Sequence, residues 1–139
     1  VEEDGALLAI TTHRSFEGII KETNLIKEAY LQFSEYLEGE RKVFDLPFKM
    51  QGTEFQKQVW KALCDIPYGE TRSYKQIAQA IGNPKAVRAV GMANNKNPLL
   101  VVVPCHRVIG ANGQLVGYAS GLEKKRLLLQ LENPHFQLR

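Results

Sequence analysis

Apolar residues recur at helical spacing in two stretches of the chain. Residues 25–37 carry an apolar side chain every three or four positions, and residues 123–132 combine a charged first turn with leucines in the second half. Gly39 follows the first stretch, so the spacing predicts an amphipathic helix that ends there and a second helix near the end of the chain. The side chains predicted to face the core are Leu25, Ile26, Ala29, Tyr30, Phe33 and Leu37 in the first helix, and Leu127, Leu128 and Leu131 in the second.

Shorter apolar runs predict strands. Residues 6–12 and 15–20 have the composition of two short strands. The run LLVVV at 99–103 is apolar throughout and rich in β-branched residues, so it predicts a buried strand that Pro104 ends. The residues ANG at 111–113 then predict a turn.

Two capping boxes mark helix starts in the middle of the chain. Thr53 and Ser73 are each followed three positions later by a glutamine, the spacing that satisfies free amides at a helix start. The helix after Ser73 is predicted to end at Gly82. A further helix is predicted over 84–93, with Asn83 as its cap and a proline at its first position. Two short helices joined by a tight turn with glycine form a helix-turn-helix arrangement.

Cys105 and His106 follow the predicted buried strand and carry the most evident chemistry. A cysteine acts as a nucleophile only as the thiolate, which requires a base or a positive field nearby. Neighbours on a strand point to opposite faces, so direct contact between the two side chains is not assured. A turn after Pro104 can break the alternation, and a water molecule can bridge the two groups. From these residues alone, a buried core cysteine is the favoured interpretation.

Composition and charge narrow the class of protein. A chain of 139 residues fits one domain, or one domain with a small N-terminal companion. It begins at Val1, which we interpret as a fragment or a missing start. The stretch from Lys75 to Arg107 contains five basic residues and no acidic one, a pattern that favours contact with a polyanion.

The cysteine and histidine counts bear on metals and on redox compartment. Two cysteines without a secretory signal indicate a reducing compartment. Neither cysteine lies in a CxxC motif and there are three histidines, so no zinc site is predicted. We expect Cys64, on the helix after Thr53, to be an inert core residue.

The motif PCHRV has a specific setting in this chain. It is accompanied by SY at 73–74, GNPKAVRAVG at 82–91, NP at 97–98 and a closing Glu132. This ordered set resembles the O6-alkylguanine-DNA alkyltransferases, also called methylated-DNA–protein-cysteine methyltransferases, from about Thr53 to Glu132.

The resemblance implies an α/β (α+β) fold in two parts. The first, residues 1–48, would be a small RNase H-like α/β domain, incomplete at its start. The second, residues 49–139, would be a mainly helical DNA-binding alkyltransferase domain that contains the helix-turn-helix and the active-site cysteine.

The resemblance also implies a catalytic role for five residues. Cys105 would accept the alkyl group, and His106 would take the thiol proton through a water molecule. Glu132 would hold the histidine tautomer and stabilise the imidazolium, following the logic of a catalytic triad. Asn97 would tie its turn to the active-site strand. Tyr74 would donate to guanine N3 and lie close to the target phosphate, whereas Arg107 would be structural.

Further residues are implied for DNA and base binding. The helix over 84–93 would enter the minor groove through a face of small residues, and Arg88 would fill the gap left by a flipped nucleotide. The residues implied in DNA binding are Arg88, Ala86, Ala89, Tyr74 and Lys85, with Gly91 and Ala93 also on the narrow face. Tyr118 would form the aromatic wall of the base pocket, within a loop whose small residues include Gly117 and Gly121. The backbone of Cys105 and Val108 would accept from the guanine amine, and the Ala119 amide would donate toward O6.

The implied activity is a single irreversible transfer of an alkyl group from O6-alkylguanine in DNA to Cys105, which restores guanine. The alkyl size range and activity on O4-alkylthymine stay open. No metal and no organic cofactor are implied. We expect a monomer that acts on double-stranded DNA, has no membrane association, and lies in the cytoplasm near the nucleoid of a prokaryote.

Three other classes are compatible with parts of the sequence. A non-catalytic alkyltransferase-like damage sensor would lack the acceptor cysteine, which is present here. A cysteine hydrolase or acyltransferase would need an oxyanion hole and would turn over many times. A helix-turn-helix regulator would bind a defined sequence and would not depend on Cys105.

Overall fold

The computed structural model describes residues 2–3, 5–7, 10, 23–113, 118 and 121–136. The described part is helix-rich, with two small two-stranded sheets. None of its helices has the length and apolar character needed to cross a membrane. The strands are β1 (Glu2–Glu3), β2 (Ala6–Leu7), β3 (Arg72–Ser73) and β4 (Val108–Ile109), and the helices are α1 (Asn24–Leu37), α2 (Glu54–Cys64), α3 (Tyr74–Ala80), α4 (Val87–Asn95) and α5 (Leu122–Glu132).

The N-terminal part consists of a short hairpin and one helix in the described residues. Strand β1 pairs antiparallel with β2, and Ile10 forms a bridge with Leu99. The predicted strand over 6–12 is confirmed at Ala6–Leu7, while residues 8–9 and 11–12 and the whole predicted strand over 15–20 lie outside the described residues. A mixed helix-and-sheet fold is confirmed, and an RNase H-like arrangement of this part stays a prediction.

Helix α1 forms as predicted, but its buried face differs. Thr23 caps it by accepting from the Ile26 amide at 3.2 Å. The fully buried residues are Ala29, Gln32 and Tyr36. Tyr30 and Leu37, predicted to face inward, are 76% and 59% exposed. The helix is rotated toward its polar positions because the Gln32 side chain donates to the Asp45 carbonyl and accepts from the Asp45 amide.

Both predicted capping boxes are confirmed at the starts of α2 and α3. Thr53 and Ser73 accept from the amides three positions on and donate their own amides to the glutamine side chains. The Trp60 indole of α2 donates to the Ala93 carbonyl at 2.9 Å and joins α2 to α4. Gly52 allows this packing, because a Cβ there would lie 2.7 Å from the Trp60 ring.

The predicted pair of short helices is present, but α4 starts later than expected. The prediction of a helix over 84–93 capped by Asn83 is wrong at both ends, since α4 spans Val87–Asn95. The Ala86 amide donates to the Asn83 carbonyl at 3.0 Å, so residues 83–86 form a turn. Pro84 occupies the second position of that turn, where its fixed φ is favoured, and does not begin the helix.

The buried run 99–103 is not a regular strand, which corrects the prediction. The Val102 amide donates to the Leu100 carbonyl at 2.9 Å, and Val101 has φ of 70°. These features define a γ-turn, a strained conformation for a β-branched residue. The Asn97 side chain causes the departure, because its oxygen accepts from the Leu99 amide and its nitrogen donates to the Val103 carbonyl. A side chain thus replaces the partners that a sheet would supply.

Helix α5 turns charged residues inward. Its buried positions are Lys125, Leu129 and Glu132. The prediction that Leu127 faces inward is wrong, because this residue is 54% exposed; Leu128 and Leu131 are partly buried against the core. The helix therefore delivers an ammonium group and a carboxylate to the interior.

One hydrophobic core extends across the proposed domain boundary at residue 48. Leu7, Tyr36 and Leu46 lie in the same cluster as side chains from α2, α4 and the 99–103 turn. The division into 1–48 and 49–139 therefore stays a prediction. Cys64 lies outside this core: it is exposed at the end of α2, which corrects the expectation of a buried residue.

Candidate active site

A single 3₁₀ turn, Cys105–Arg107, carries the candidate nucleophile and base. The Cys105 amide donates to the Val103 carbonyl at 2.8 Å, and the Arg107 amide donates to the Pro104 carbonyl at 3.0 Å. The turn breaks the alternation of a strand. Strand β4 begins directly after it and pairs in parallel with β3, which leads into α3. The site is thereby connected to the helix-turn-helix.

Two asparagines hold the backbone on either side of this turn. Asn97 is buried and bonds Leu99 and Val103, as described above. Asn94 is also buried and donates to the Cys105 carbonyl at 3.4 Å. The Val108 amide donates to the same carbonyl, so both lone pairs of the Cys105 oxygen are engaged. Of the two backbone acceptors predicted for a guanine amine, the Cys105 carbonyl is therefore already occupied within the protein.

Glu132 is the centre of a buried polar cluster. Its side chain is 1% exposed, and its Oε2 lies 2.8 Å from Nε2 of the fully buried His106. Arg107 donates from Nε to Oε1 at 2.8 Å and from Nη2 to Oε2 at 2.9 Å, and a third nitrogen donates to the Ile66 carbonyl. The Tyr36 hydroxyl donates to Oε2 at 2.6 Å. The carboxylate therefore accepts from three side chains.

These donors fix the protonation state of Glu132 and the tautomer of His106. Burial by itself raises the pKa of Glu132, but hydrogen bonds from His106, Arg107 and Tyr36 hold that pKa at about 2. An ionised carboxylate only accepts hydrogen bonds, so Nε2 of His106 carries the proton. Nδ1 is then the basic nitrogen, and it makes no hydrogen bond to any described protein atom.

His106 is neutral in this environment. Burial lowers the pKa of its imidazole, and Glu132 opposes that shift only in part. The charges of Arg107 and Lys125 lower it further. A neutral imidazole with a free Nδ1 is the form required of a general base.

Cys105 is held as a thiol. Its side chain is buried, and desolvation raises the pKa of the thiol to about 11. A hydrogen bond with Asn97 and the positive charge of Lys125 favour the thiolate and limit this rise. The thiol is therefore protonated at neutral pH, so reaction requires a base that removes the proton.

Lys125 is a functional candidate that sequence reasoning missed. It is completely buried, and its ammonium lies 5.9 Å from the centre of the Tyr74 ring. Burial lowers its pKa to about 8, while the proximity of Cys105 acts in the opposite direction. A signal was available: Lys125 precedes Glu132 by seven positions, two helical turns, so both lie on one face of the predicted helix.

Tyr36 and Asn94 were also missed. Asn94 lies one position beyond the predicted end of the helix over 84–93, but in the structure it belongs to α4. Tyr36 is separated from its partner Glu132 by 96 positions, and no local pattern connects the two. Neither residue carried a motif that could have revealed its contact.

The residues predicted for the base pocket are only partly described. Tyr74 is partly buried at the start of α3, and burial together with Cys105 raises the pKa of its hydroxyl to about 12. Tyr118 is buried, and the same two causes raise its pKa. Val108 is buried, and Gly121 precedes α5 with φ of 103°. Gly117 and Ala119 lie outside the described residues.

The predicted DNA-binding residues form an exposed surface around α4. Lys85, Arg88 and Ala89 are exposed, and Ala86 is partly buried at the position before the helix. The predicted face of small residues is incomplete, because Ala93 is buried in the core and Met92 is 66% exposed. Arg107 was counted with the basic stretch, but it is buried against Glu132 and does not belong to this surface.

Comparison with known proteins connects this site to a family. Residues 54–134 match the family described as "6-O-methylguanine DNA methyltransferase, DNA binding domain". A methylated-DNA–protein-cysteine methyltransferase from Methanosarcina barkeri is 57% identical over 113 residues, which cover 81% of this chain and 72% of that protein. The corresponding protein from Mycobacterium leprae is 53% identical over 83% of this chain and 70% of its own length.

Solved structures give the same result. The structure of Mycobacterium tuberculosis OGT in complex with DNA matches with a TM-score of 0.77 and 54% identity, covering 78% of this chain and 68% of that chain. Atl1 of S. pombe, in complex with damaged DNA containing O6-carboxymethylguanine, matches at 34% identity and a TM-score of 0.53, over 60% of this chain and 79% of that one. The sequence match, the identities and the fold agree, and the chain belongs to the methylated-DNA–protein-cysteine methyltransferase family.

Proposed function

We propose that this protein repairs DNA by transferring the alkyl group of O6-alkylguanine to its own Cys105, irreversibly and once per molecule. The observation that carries the proposal is the buried Cys105 next to a neutral His106 whose basic nitrogen is fixed by Glu132. Relatives above 50% identity are named methylated-DNA–protein-cysteine methyltransferases, and the structure of one relative was solved in complex with DNA.

The chemical step follows from the protonation states. His106 Nδ1 takes the Cys105 proton through a bridging water, and the imidazolium that forms is stabilised by the Glu132 carboxylate. The sulfur attacks the alkyl carbon, so the S–C bond forms as the C–O6 bond breaks. The electron pair of the broken bond passes to the purine, whose charge is met by a proton or hydrogen bond from the Tyr74 hydroxyl. The proton held by His106 then returns through solvent to the purine anion, which restores neutral guanine, and the sulfur becomes a thioether.

Single turnover follows from the product. A thioether has no ready hydrolytic route at neutral pH, so the free thiol does not return. A cysteine hydrolase would instead form a thioester, which water cleaves. The stoichiometry of the reaction therefore separates these two classes.

The DNA-binding part of the proposal assigns α4 to the minor groove. Arg88 would occupy the space of the flipped nucleotide, with Lys85, Ala86, Ala89 and Tyr74 around it. Flipping costs a few kcal/mol, least at a damaged pair, and minor-groove contact gives little sequence readout. Both properties suit a protein that searches DNA of any sequence.

The proposed setting is a monomer acting on double-stranded DNA in the cytoplasm, close to the nucleoid. The reaction depends on a free thiol, and both cysteines are free in the structure. Reducing conditions preserve such thiols.

The test is the intact mass of the protein after mixing with equimolar duplex DNA that carries O6-methylguanine. We expect a gain of one methyl group, mapped to the Cys105 peptide, that stops at one per molecule and is absent in Cys105→Ala. Tight binding to the lesion without a mass gain would indicate an alkyltransferase-like sensor. Neither binding nor a gain would contradict the proposed repair activity, and binding to one defined sequence would indicate a regulator.

A further inference from the structure

The donors on Glu132 come from distant parts of the chain. His106 and Arg107 belong to the turn that carries the nucleophile, whereas Tyr36 belongs to α1 in the N-terminal part. The Tyr36 hydroxyl lies 2.6 Å from Oε2, the same oxygen that accepts from His106. A side chain of α1 thus contacts the carboxylate that holds the base.

The packing around Tyr36 accounts for an aromatic ring at this position but does not account for its hydroxyl group. The side chain is 0% exposed, and its ring lies 5.3 Å from that of Phe44 and edge-on to Tyr68 at 6.2 Å. A phenylalanine would fill this space equally well. Burial of a hydroxyl is unfavourable unless it finds a partner, and the partner here is Glu132.

The hydroxyl is a permanent donor. Burial and the negative charge of Glu132 raise the pKa of Tyr36 far above its ordinary value. The group therefore keeps its proton at neutral and acidic pH. Glu132 Oε2 accordingly accepts three hydrogen bonds, of which only the one from His106 changes during the proposed reaction.

We propose that Tyr36 is a positioning residue for alkyl transfer, which orients Glu132 toward His106 and limits how strongly that carboxylate attracts a proton. This inference rests on the proposed function. Tyr36 acts through Glu132 and His106 and does not touch the substrate. It makes α1 a contributor to the reaction centre rather than only a neighbouring element.

The direction of the effect follows from the charge on the carboxylate. Without the Tyr36 donor, Glu132 becomes a stronger acceptor and stabilises the imidazolium form of His106 more. At acidic pH a larger fraction of His106 is then protonated and cannot serve as base, which moves the low-pH limb of the pH–rate profile to higher pH. The slowing at neutral pH comes instead from the lost orientation of Glu132 toward His106. The substitution leaves in place the other titratable and charged groups that act on this pair: Arg107 on the turn, Lys125 from α5, Tyr68 from the turn after α2, and Tyr118.

The experiment compares single-turnover transfer from O6-methylguanine DNA by wild type, Tyr36→Phe and Tyr68→Phe between about pH 5 and pH 8. Tyr68→Phe is the matched control, since its hydroxyl reaches the Leu131 carbonyl at 3.5 Å and not Glu132. We expect transfer by Tyr36→Phe to be about tenfold slower at neutral pH, because the variant loses one hydrogen bond to a charged group. The acid limb of its pH–rate profile, where the transfer rate falls as the pH decreases, should lie at higher pH than in wild type and in Tyr68→Phe.

Two further readouts separate positioning from simple stability. In a Glu132→Gln background, Tyr36→Phe should cause little additional slowing, because residues that act through one group are not additive. The imidazole nitrogen chemical shifts of His106 should show a raised pKa in Tyr36→Phe, whether or not methyl transfer occurs. A wild type that transfers no methyl would contradict the proposed function, and these shifts would still decide the role of Tyr36.

The inference is wrong if Tyr36→Phe retains the wild-type rate and acid limb. It is also wrong if the slowing comes with a lower melting temperature and an unshifted acid limb. If the slowing by Tyr36→Phe and the slowing by Glu132→Gln multiplied in full when the two substitutions are combined, action through Glu132 would also be excluded.

Discussion

The Glu132 cluster and the surface around α4 are organised in opposite ways. At Glu132, donors from α1 and the 3₁₀ turn converge on one buried carboxylate. Around α4, the exposed cations Lys75, Lys85, Arg88 and Lys96 form no ion pair with any residue that the structure describes. The chemical centre is thus arranged before DNA binds, whereas the proposed DNA surface keeps its charges available for phosphates.

The two kinds of organisation predict different responses to substitution. A buried, fully paired group has no water to replace a lost partner, so its removal affects both folding and reaction. An exposed lysine can be replaced with small effects that depend on salt. Substitutions at the buried centre should therefore have the larger effects.

Glu132→Gln should have the largest effect. It leaves Arg107 buried without its counter-charge, which should lower the free energy of unfolding by about 3–5 kcal/mol. It also removes the group that fixes His106, so transfer should slow by roughly a hundredfold or more, the contribution of a positioned base. Urea unfolding and single-turnover transfer measure the two effects. If this variant were as stable as wild type, Glu132 would not be the group that compensates the buried charge of Arg107.

The same carboxylate predicts a pH dependence of stability. The pKa of Glu132 is depressed to about 2 in the folded protein, so the unfolded chain binds its proton first as the pH falls. Its contribution is present above the ordinary glutamate pKa and is lost as the pH falls toward 2. Urea unfolding at a series of acidic pH values should show this loss in wild type and a smaller one in Glu132→Gln.

Lys125→Met should separate reaction from stability. The ammonium favours the Cys105 thiolate, so its removal should raise the thiol pKa further and slow transfer by about tenfold, equivalent to one pKa unit. The folded-state pKa of Lys125 is depressed to about 8, so the wild type should gain stability as the pH rises from 8 toward the ordinary lysine value. The variant should lack this gain.

The readout for Lys125→Met is the rate of alkylation of Cys105 by iodoacetamide as a function of pH. Cys64 is exposed and would react as well, so the measurement uses a Cys64→Ala background. An unchanged pH profile would show that Lys125 does not influence the thiol.

The sequence was sufficient to predict features whose interacting residues lie only a few positions apart. The capping boxes at Thr53 and Ser73 were predictable because the side chain and the amides it satisfies lie three positions apart. The identity of Cys105, His106 and Glu132 as site candidates came from an ordered motif. His106 contacts Glu132, and Cys105 lies on the same turn as His106, which agrees with that assignment; their roles stay proposals for experiment.

The sequence failed where a distant or unusual partner decides the conformation. The run 99–103 has the composition of a strand, but Asn97 takes the backbone partners that a strand would need. Helix periodicity misplaced Leu127 because the polar residues Lys125 and Glu132 face inward on α5. Periodicity assumes that polar residues face water, and a buried reaction centre violates that assumption.

Arg88→Ala tests the exposed side of the comparison. If Arg88 fills the gap left by a flipped base, it offsets a fraction of the unstacking energy. Its loss should then slow transfer from duplex DNA by about tenfold. Transfer from single-stranded DNA with the same lesion requires no such gap and should change little. Equal slowing on both substrates would indicate a general electrostatic contribution instead.

Lys85→Ala should have the smallest effect, because an exposed lysine contributes mainly one phosphate contact. We expect weaker binding to all duplex sequences alike and a salt dependence whose slope decreases by about one. Lys57→Ala is the matched control: it removes a lysine of α2 that pairs with Glu54 at 3.8 Å and is not assigned to the DNA surface. The rate at saturating DNA should be unchanged in both variants, since neither lysine reaches the Glu132 cluster. If Lys85→Ala lowered that saturated rate, the proposed separation between a prearranged chemical centre and an adaptable DNA surface would be wrong, because an exposed charge would then be coupled to the buried reaction.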